Sequence, residues 1–463
     1  LRIADSYFIL KSYNSAVENY TRAIKLNNDL TYPYFQIAIS LGLLERSSEK
    51  IEQLNTIIES FPNSTIVDDC YFELATTYAN SELFEKALIN YNLIIEKFPK
   101  SIFVPKVFLN KGLILYNNGD LKNSESLLRE YVKRFPTEIT VTQALSILKE
   151  IAVEKNSVEE FSIWIKSNGL SSVSELEIEK ASISAIELLK DQKKEKQLKK
   201  ALEDYITNYP NGLDIKKMSF LLGEILYANK KWNQSILNFK RVVFGPRNEY
   251  SEKSIVRICQ SLLELDNTTE ATTFLERLEK SAEAKENLIY AVSNLMKIYY
   301  NDKKYNKATL YGEKLISFNE VDNRIKSDAY LFIARSSKSL GNKKKALNAY
   351  KKLESDSNKE FAVEALYFKA MDNFDNKEYL NSNLIIEKIS SEFSGYKKWT
   401  AKSLLLMSKN FYQLGDAFQA SFILESVIEN FSHMPDIVDN AKNELTKIKR
   451  IESEKNSSVE INN

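Results

Sequence analysis

From Asp69 to Ser101 the apolar positions trace two amphipathic helices and a stop. Phe72, Ala75 and Tyr78 mark the buried face of the first helix. Phe84, Ala87, Tyr91 and Ile94 follow at i, i+3, i+7 and i+10, which is one face of the second. Asn80 and Ser81 lie between them and predict the turn. Pro99 ends the second helix, because proline lacks the amide hydrogen and clashes with the preceding turn. Such a pair leaves its apolar face open unless a neighbour covers it, so the pattern calls for a stack.

The stack is written along the chain. A small residue in mid-second-helix recurs at Ala16, Lys50, Ala87, Ser124, Phe161, Leu198, Ser235, Ala271, Ala308, Ala346, Ser382 and Ala420, three of these slots holding larger residues. Eleven steps between Ala16 and Ala420 give a period of about 37 residues and twelve hairpins. A second small residue sits twelve earlier, on the first helix: Ala4, Ala38, Ala75, Gly112, Gly223, Cys259, Ala334 and Ala370. Tyr13, Phe84, Leu121, Trp232, Tyr305 and Tyr379 stand three before the small slot. Phe61-Pro62, Phe98-Pro99, Phe135-Pro136 and Tyr209-Pro210 close second helices. Asn117 to Asp120, Leu340-Gly341-Asn342 and Leu414-Gly415-Asp416 carry turn chemistry.

These small residues, interleaved aromatics and terminal prolines resemble the tetratricopeptide repeat from roughly Leu1 to Phe431. The resemblance implies an all-α, right-handed solenoid of about twelve hairpins that binds other proteins or peptide segments. The period exceeds the family's usual length of about 34. With the helix ends Phe61-Pro62-Asn63-Ser64 and Phe98-Pro99-Lys100-Ser101, it is similar to bacterial envelope members: the outer-membrane-assembly lipoprotein and the division-site coordinator of the Tol–Pal system. A periplasmic or outer-membrane-associated scaffold is the implied setting. A cytoplasmic scaffold, or the regulatory arm of an enzyme whose catalytic domain lies upstream, are the alternatives.

Four segments are expected: an array over 1–168, a second over 169–433, a capping helix over 434–451 and a disordered tail over 452–463. Phe161 and Leu198 fill slots meant for small side chains, and Ser167 to Ser172 is a serine-rich connector, so the helix crossing should loosen there. Met434-Pro435-Asp436 starts the cap, which a solenoid needs over its last apolar face. The chain opens at Leu1 with the repeat already running, which reads as a fragment, any targeting segment and further repeats lying upstream.

Charge narrows the partners. Lys and Arg number 64 against 63 Asp and Glu, a balance that argues against a phosphate-backbone binder. The Lys190–Lys200 run is interrupted by Asp191 and Glu195 and reads as a solvated face. No apolar run approaches the roughly 18 residues of a membrane helix. Cys70 and Cys259 lie far apart and read as buried thiols. The one histidine, His433, falls in a loop, and no phosphate loop, paired C-x-x-C or nucleophile elbow occurs. No catalytic residue, cofactor or metal is expected.

Positions one turn either side of the first-helix small residue face the inner groove in the resembled family. Transferred by position, one row holds Phe35, Phe72, Leu109, Phe220 and Tyr367, and another holds Tyr116, Tyr227, Tyr300, Phe374 and Tyr412. Rings there offer contact area at low entropic cost. Rings that instead pack within or between hairpins are the competing reading. The Lys and Asn slots of chaperone-tail clamps hold Phe35 and Ile39, Phe72 and Thr76, and Leu109 and Leu113, which disfavours that ligand. Lys253, Lys297, Arg335 and Lys409 would lay a mildly basic floor for an acidic segment.

Overall fold

The structure, a computed structural model, describes residues 1–27 and 30–460, the side chains of 455–460 excepted. Among these residues there are 25 helices and no strand. Twenty-four helices form twelve consecutive antiparallel hairpins, an all-α solenoid architecture, and the last helix caps them. The chain divides into two compact units, Leu1–Met218 and Ser219–Asn463.

One turn closes every hairpin. In the third, the helices run Val67–Asn80 and Phe84–Lys97, so Ser81, Glu82 and Leu83 alone reverse the chain. Glu82 adopts a left-handed φ of 58°. Its amide donates to the Ala79 carbonyl at 3.0 Å, and the Leu83 amide donates to Tyr78 at 2.9 Å. These two bonds satisfy carbonyls that the helix end leaves open. Leu83 is already the N-cap of the second helix, its carbonyl accepting from the Ala87 amide at 3.1 Å. The same left-handed position recurs at Lys11, Glu45, Gly119, Asn156, Lys193, Lys230, Asp266, Lys303, Gly341, Lys377 and Gly415.

Because three residues always join the helices, the register between them is fixed. The fourth residue after the N-cap meets the residue twelve before it. Ala4 with Ala16, Ala75 with Ala87, and Ala38 are all fully buried. Ser235 donates to Trp232 of its own helix at 3.1 Å, while at the other two serine slots the hydroxyl donates to the facing backbone, Ser124 to the Gly112 carbonyl and Ser382 to the Ala370 carbonyl, each at 2.8 Å. Ser408, facing Ala420, does the reverse at 3.0 Å. Lys50 fits its slot by reaching out to Glu73 at 2.5 Å.

Hairpins five and six depart as their bulky slots predict. Phe161 and Leu198 are buried. The second helix of hairpin five, Val158–Ser167, is short, and the helix Glu175–Asp191 rests on Val141–Glu154 as well as on it. The connector is nevertheless packed. Leu170 and Val173 join the core containing Phe161, Ile165 and Ile178, and Ser174 with Glu177 forms a capping box. The two compact units divide at 218/219, whereas the expected boundary lay at 168/169.

The cap buries Ile437, Ala441 and Ile448 against Ala420, Leu424 and Val427 of the last hairpin. Its helix runs Pro435–Glu460, past the 452 boundary expected for a disordered tail; 461–463 lie outside the described residues.

A methyl group at Gly112 would collide with Leu128, itself fully buried. Overpacking of about 1–3 kcal/mol should outweigh the ~1 kcal/mol that alanine gains in helix propensity. Gly112→Ala is therefore expected to loosen hairpin four by about 1 kcal/mol, read as faster amide exchange across residues 104–134.

Candidate functional site

In the first unit the expected groove rings pack between hairpins. Phe72 stacks on Phe103, at the start of the next hairpin, with centroids 4.5 Å apart. Phe35 packs beside Tyr34, Ile51 and Phe61 in the core of hairpin two. Leu109 is buried, which removes it from any contact surface. Tyr116 is half-buried and donates to Glu154 at 2.9 Å. Hairpins five and six enclose a hollow of about 550 Å³ bordered by Ile163, Leu176 and Tyr209. Its buried carboxylate, Glu179, already accepts from the Tyr205 hydroxyl at 2.7 Å and the Leu213 amide at 2.5 Å.

The second unit repeats the arrangement. Phe220 is buried against Tyr250, centroids 4.9 Å apart, and so leaves the contact surface too. Tyr367 meets Trp399 of the next hairpin at 5.4 Å. The other row braces the turns. Tyr227 meets Trp232 at 5.1 Å, Tyr300 meets Tyr305 at 5.7 Å and Phe374 meets Tyr379 at 5.6 Å, each pair five residues apart across a three-residue reversal. Arg257 lies 4.3 Å over the Tyr227 ring, the Tyr227 hydroxyl donates to Gln260 at 3.0 Å and Phe332 meets Tyr300 at 5.0 Å, yet these rings, Phe374 and Tyr412 all stay partly exposed.

The expected basic floor does not form, because each cation is paired with a carboxylate. Lys253 meets Glu224 at 3.0 Å, Lys297 meets Asp328 at 3.1 Å and Lys409 meets Glu444 at 3.7 Å. Arg335 holds Glu364 with two nitrogens, Nε at 2.9 Å and Nη2 at 2.6 Å. These pairs run from one hairpin to the next and act as rungs.

The Arg335–Glu364 rung anchors a polar cluster of the second unit. Its parts come from the helices Asn323–Ser339, Lys343–Lys351, Lys359–Asp375 and Lys397–Gln413. Glu364 is only 2% exposed and also accepts from the Tyr350 hydroxyl at 2.9 Å. Its bond to Arg335 holds the guanidinium's pKa above its ordinary value, burial opposing. Burial, then the Glu364 charge, drives the Tyr350 phenol well above its usual range.

Above this rung lies a wall of rings. Phe368 stacks on Tyr350 at 4.6 Å and meets Trp399 edge-on at 6.1 Å. The Lys338 ammonium sits 3.9 Å from the Phe368 centroid, and Lys402 lies 5.0 Å from that of Trp399. Residue-by-residue reading missed these lysines. The available signal was positional, since Lys338 occupies in hairpin ten the slot of Tyr300 and Phe374.

Burial pushes the thiols of Cys70 and Cys259 up to about 12, as fits packed, unreactive side chains. His433 is exposed beside Phe431. Among the described residues no cluster of three or more His, Cys, Asp or Glu could hold a metal, and no helix is long and apolar enough to cross a membrane.

Comparison with known families bears on the first hairpin. Residues 1–30, the first hairpin and its exit, match the Tetratricopeptide repeat family. The search of curated proteins finds no match. Among solved structures, Naa15/Naa10 bound to HypK-THB is similar over 98% of this chain and 79% of that one, at 12% identity and a TM-score of 0.29. The TPR domain of P58(IPK) is similar over 91% of this chain and 98% of its own, at 11% identity and a TM-score of 0.24. At scores this low neither likeness says anything about what this chain binds. The protein's architecture is an array of helical hairpins, the first of which matches the tetratricopeptide repeat.

Replacing Glu364 by Gln leaves Arg335 without its countercharge. Breaking a buried pair costs about 3–5 kcal/mol, and solvent reaching a third of the Arg335 side chain lowers that to about 2 kcal/mol. Glu364→Gln is expected to speed amide exchange in residues 323–375, and Glu364→Leu combined with Arg335→Met to recover part of the loss.

Proposed function

We propose that this chain is a non-catalytic scaffold that holds peptide segments or surfaces of other proteins against the exposed side of its first helices. The carrying observation is the row of half-open rings in the second unit. Tyr227, Tyr300, Phe374 and Tyr412 occupy one slot in different hairpins, and the first three are braced across their turns. A ring already held in place loses little freedom when a partner covers it, so less of the contact energy is spent on ordering. The Tyr227 hydroxyl, which donates to Gln260, can still accept from a peptide backbone amide.

Proteins are the proposed partners, since balanced charge gives no basic face for a phosphate backbone. A cell-envelope setting is supported by the F-P-x-S helix ends and the long period; the cytoplasm and an arm of a larger enzyme are the competing settings. Fractionation of cells carrying the natural gene separates the compartments.

The groove reading is tested with Tyr227, Tyr300 and Tyr412 all changed to Leu, which keeps the apolar braces and removes the rings. A partner identified by capture on the intact protein should bind this variant at least about tenfold more weakly. Unchanged affinity, with helicity preserved, would assign binding to the second helices or the loops.

A further inference from the structure

Two cations of the second unit, Lys338 and Lys402, lie over ring faces rather than against a carboxylate. Lys338 sits over Phe368 and Lys402 over Trp399, two rings that meet edge-on. The other groove-side cations have carboxylate partners: Lys297 with Asp328, Arg335 with Glu364, Lys409 with Glu444, and Lys343 with Asp372 and Asp375. Among the described residues Lys338 and Lys402 have only ring faces beneath them. Glu364, the nearest acid, is fully engaged by Arg335 and Tyr350. Burial lowers the pKa of Lys338, and so does the charge of Lys402; burial and the charge of Lys398 lower that of Lys402, and the Glu364 charge opposes both shifts without reversing them. Two partly desolvated like charges face each other over an apolar floor, an arrangement that an anion relieves.

A second feature adjoins the first. A pocket of about 190 Å³ opens beside Lys338, walled by Leu347, Tyr350, Phe368 and Met371. Its far rim carries Asp372 and Asp375, both held by Lys343 at 3.0 and 2.7 Å. The surface is therefore cationic at the Lys402 end and apolar, then acidic, at the other.

We propose that Lys338 and Lys402 receive the carboxylate of an acidic peptide segment, whose neighbouring apolar side chain fills the pocket walled by Leu347 and Phe368. The inference rests on the scaffold reading above and adds the chemistry of the partner. Charge complementarity selects the occupant: a carboxylate between the two ammonium groups neutralises them, while a basic segment would add a third positive charge. The aromatic floor excludes water beneath the ions, which strengthens the pairing relative to a solvated surface pair. The acidic far rim repels a uniformly acidic stretch, so the motif is acid first and apolar side chain next.

The test pans a random heptapeptide phage library on the intact protein. Selected peptides are expected to pair Asp or Glu with an adjacent Leu, Met or Phe. The best of them, synthesised with a fluorescein label, should lose at least about tenfold in affinity on Lys338→Glu with Lys402→Glu. It should weaken as salt rises from about 50 to about 300 mM. Lys338→Gln with Lys402→Gln, a milder change, should give a smaller loss in the same direction. Selected peptides without an acidic excess, no selected peptide at all, or equal affinity on both double variants would overturn the proposal. A captured partner lost on the three-tyrosine variant but retained on the lysine variants would leave the scaffold reading standing and remove this one.

Discussion

The close crossing of two helices at a pair of small side chains is the constraint on which the rest of this molecule depends. The three-residue reversal sets it. A left-handed residue closes the first helix through two backbone hydrogen bonds, and the next residue already caps the second. With no slack in the joint, the residue four after the cap must meet the residue twelve before it. Several residues larger than alanine show a compensation there. Ser124 satisfies its hydroxyl on the facing carbonyl, Lys50 leaves the crossing to find Glu73, and Phe161 and Leu198 accompany a loosened pair of hairpins beside a hollow.

Packing between hairpins then uses what the crossing leaves over. Rings on first helices stack on an aromatic that opens the next hairpin, as Phe72 does with Phe103 and Phe220 with Tyr250. Charged side chains bridge the same gap, as in Glu224 with Arg257 and Arg335 with Glu364. Function has to be read from what this packing does not consume. Most rings and nearly all groove-side cations are spent on holding neighbours together. What remains is a set of ring edges and two lysines on an aromatic floor.

The legible part of the sequence was the part with a period. The 37-residue spacing, the paired small slots and the terminal prolines are local and repeated, so they gave the hairpins and nearly all of their order. The reversal itself was nearly invisible, because only Gly119, Gly341 and Gly415 advertise a left-handed position; Lys, Glu, Asp or Asn takes the others. Ion-pair rungs join residues about thirty apart, such as Arg335 and Glu364, and no local pattern couples them. Rings placed in the groove by position proved to be braces as well, since the slot fixes direction but not what stands opposite. Lys338 could have been found as the break in an aromatic row. The serine-rich connector misled because Leu170 and Val173 pack it into the core.

The central claim is that the fixed reversal holds the small pairs in register. Inserting one glycine between Glu82 and Leu83 rotates the second helix of hairpin three by about 100°, which turns Ala87 away from Ala75. Amide exchange measured along the whole chain tests the claim directly. Protection should collapse across residues 67–97 and fall in the adjoining hairpins, with the distant hairpins of the second unit unchanged. Protection of 67–97 equal to that of the parent chain would show that the hairpin does not depend on this register.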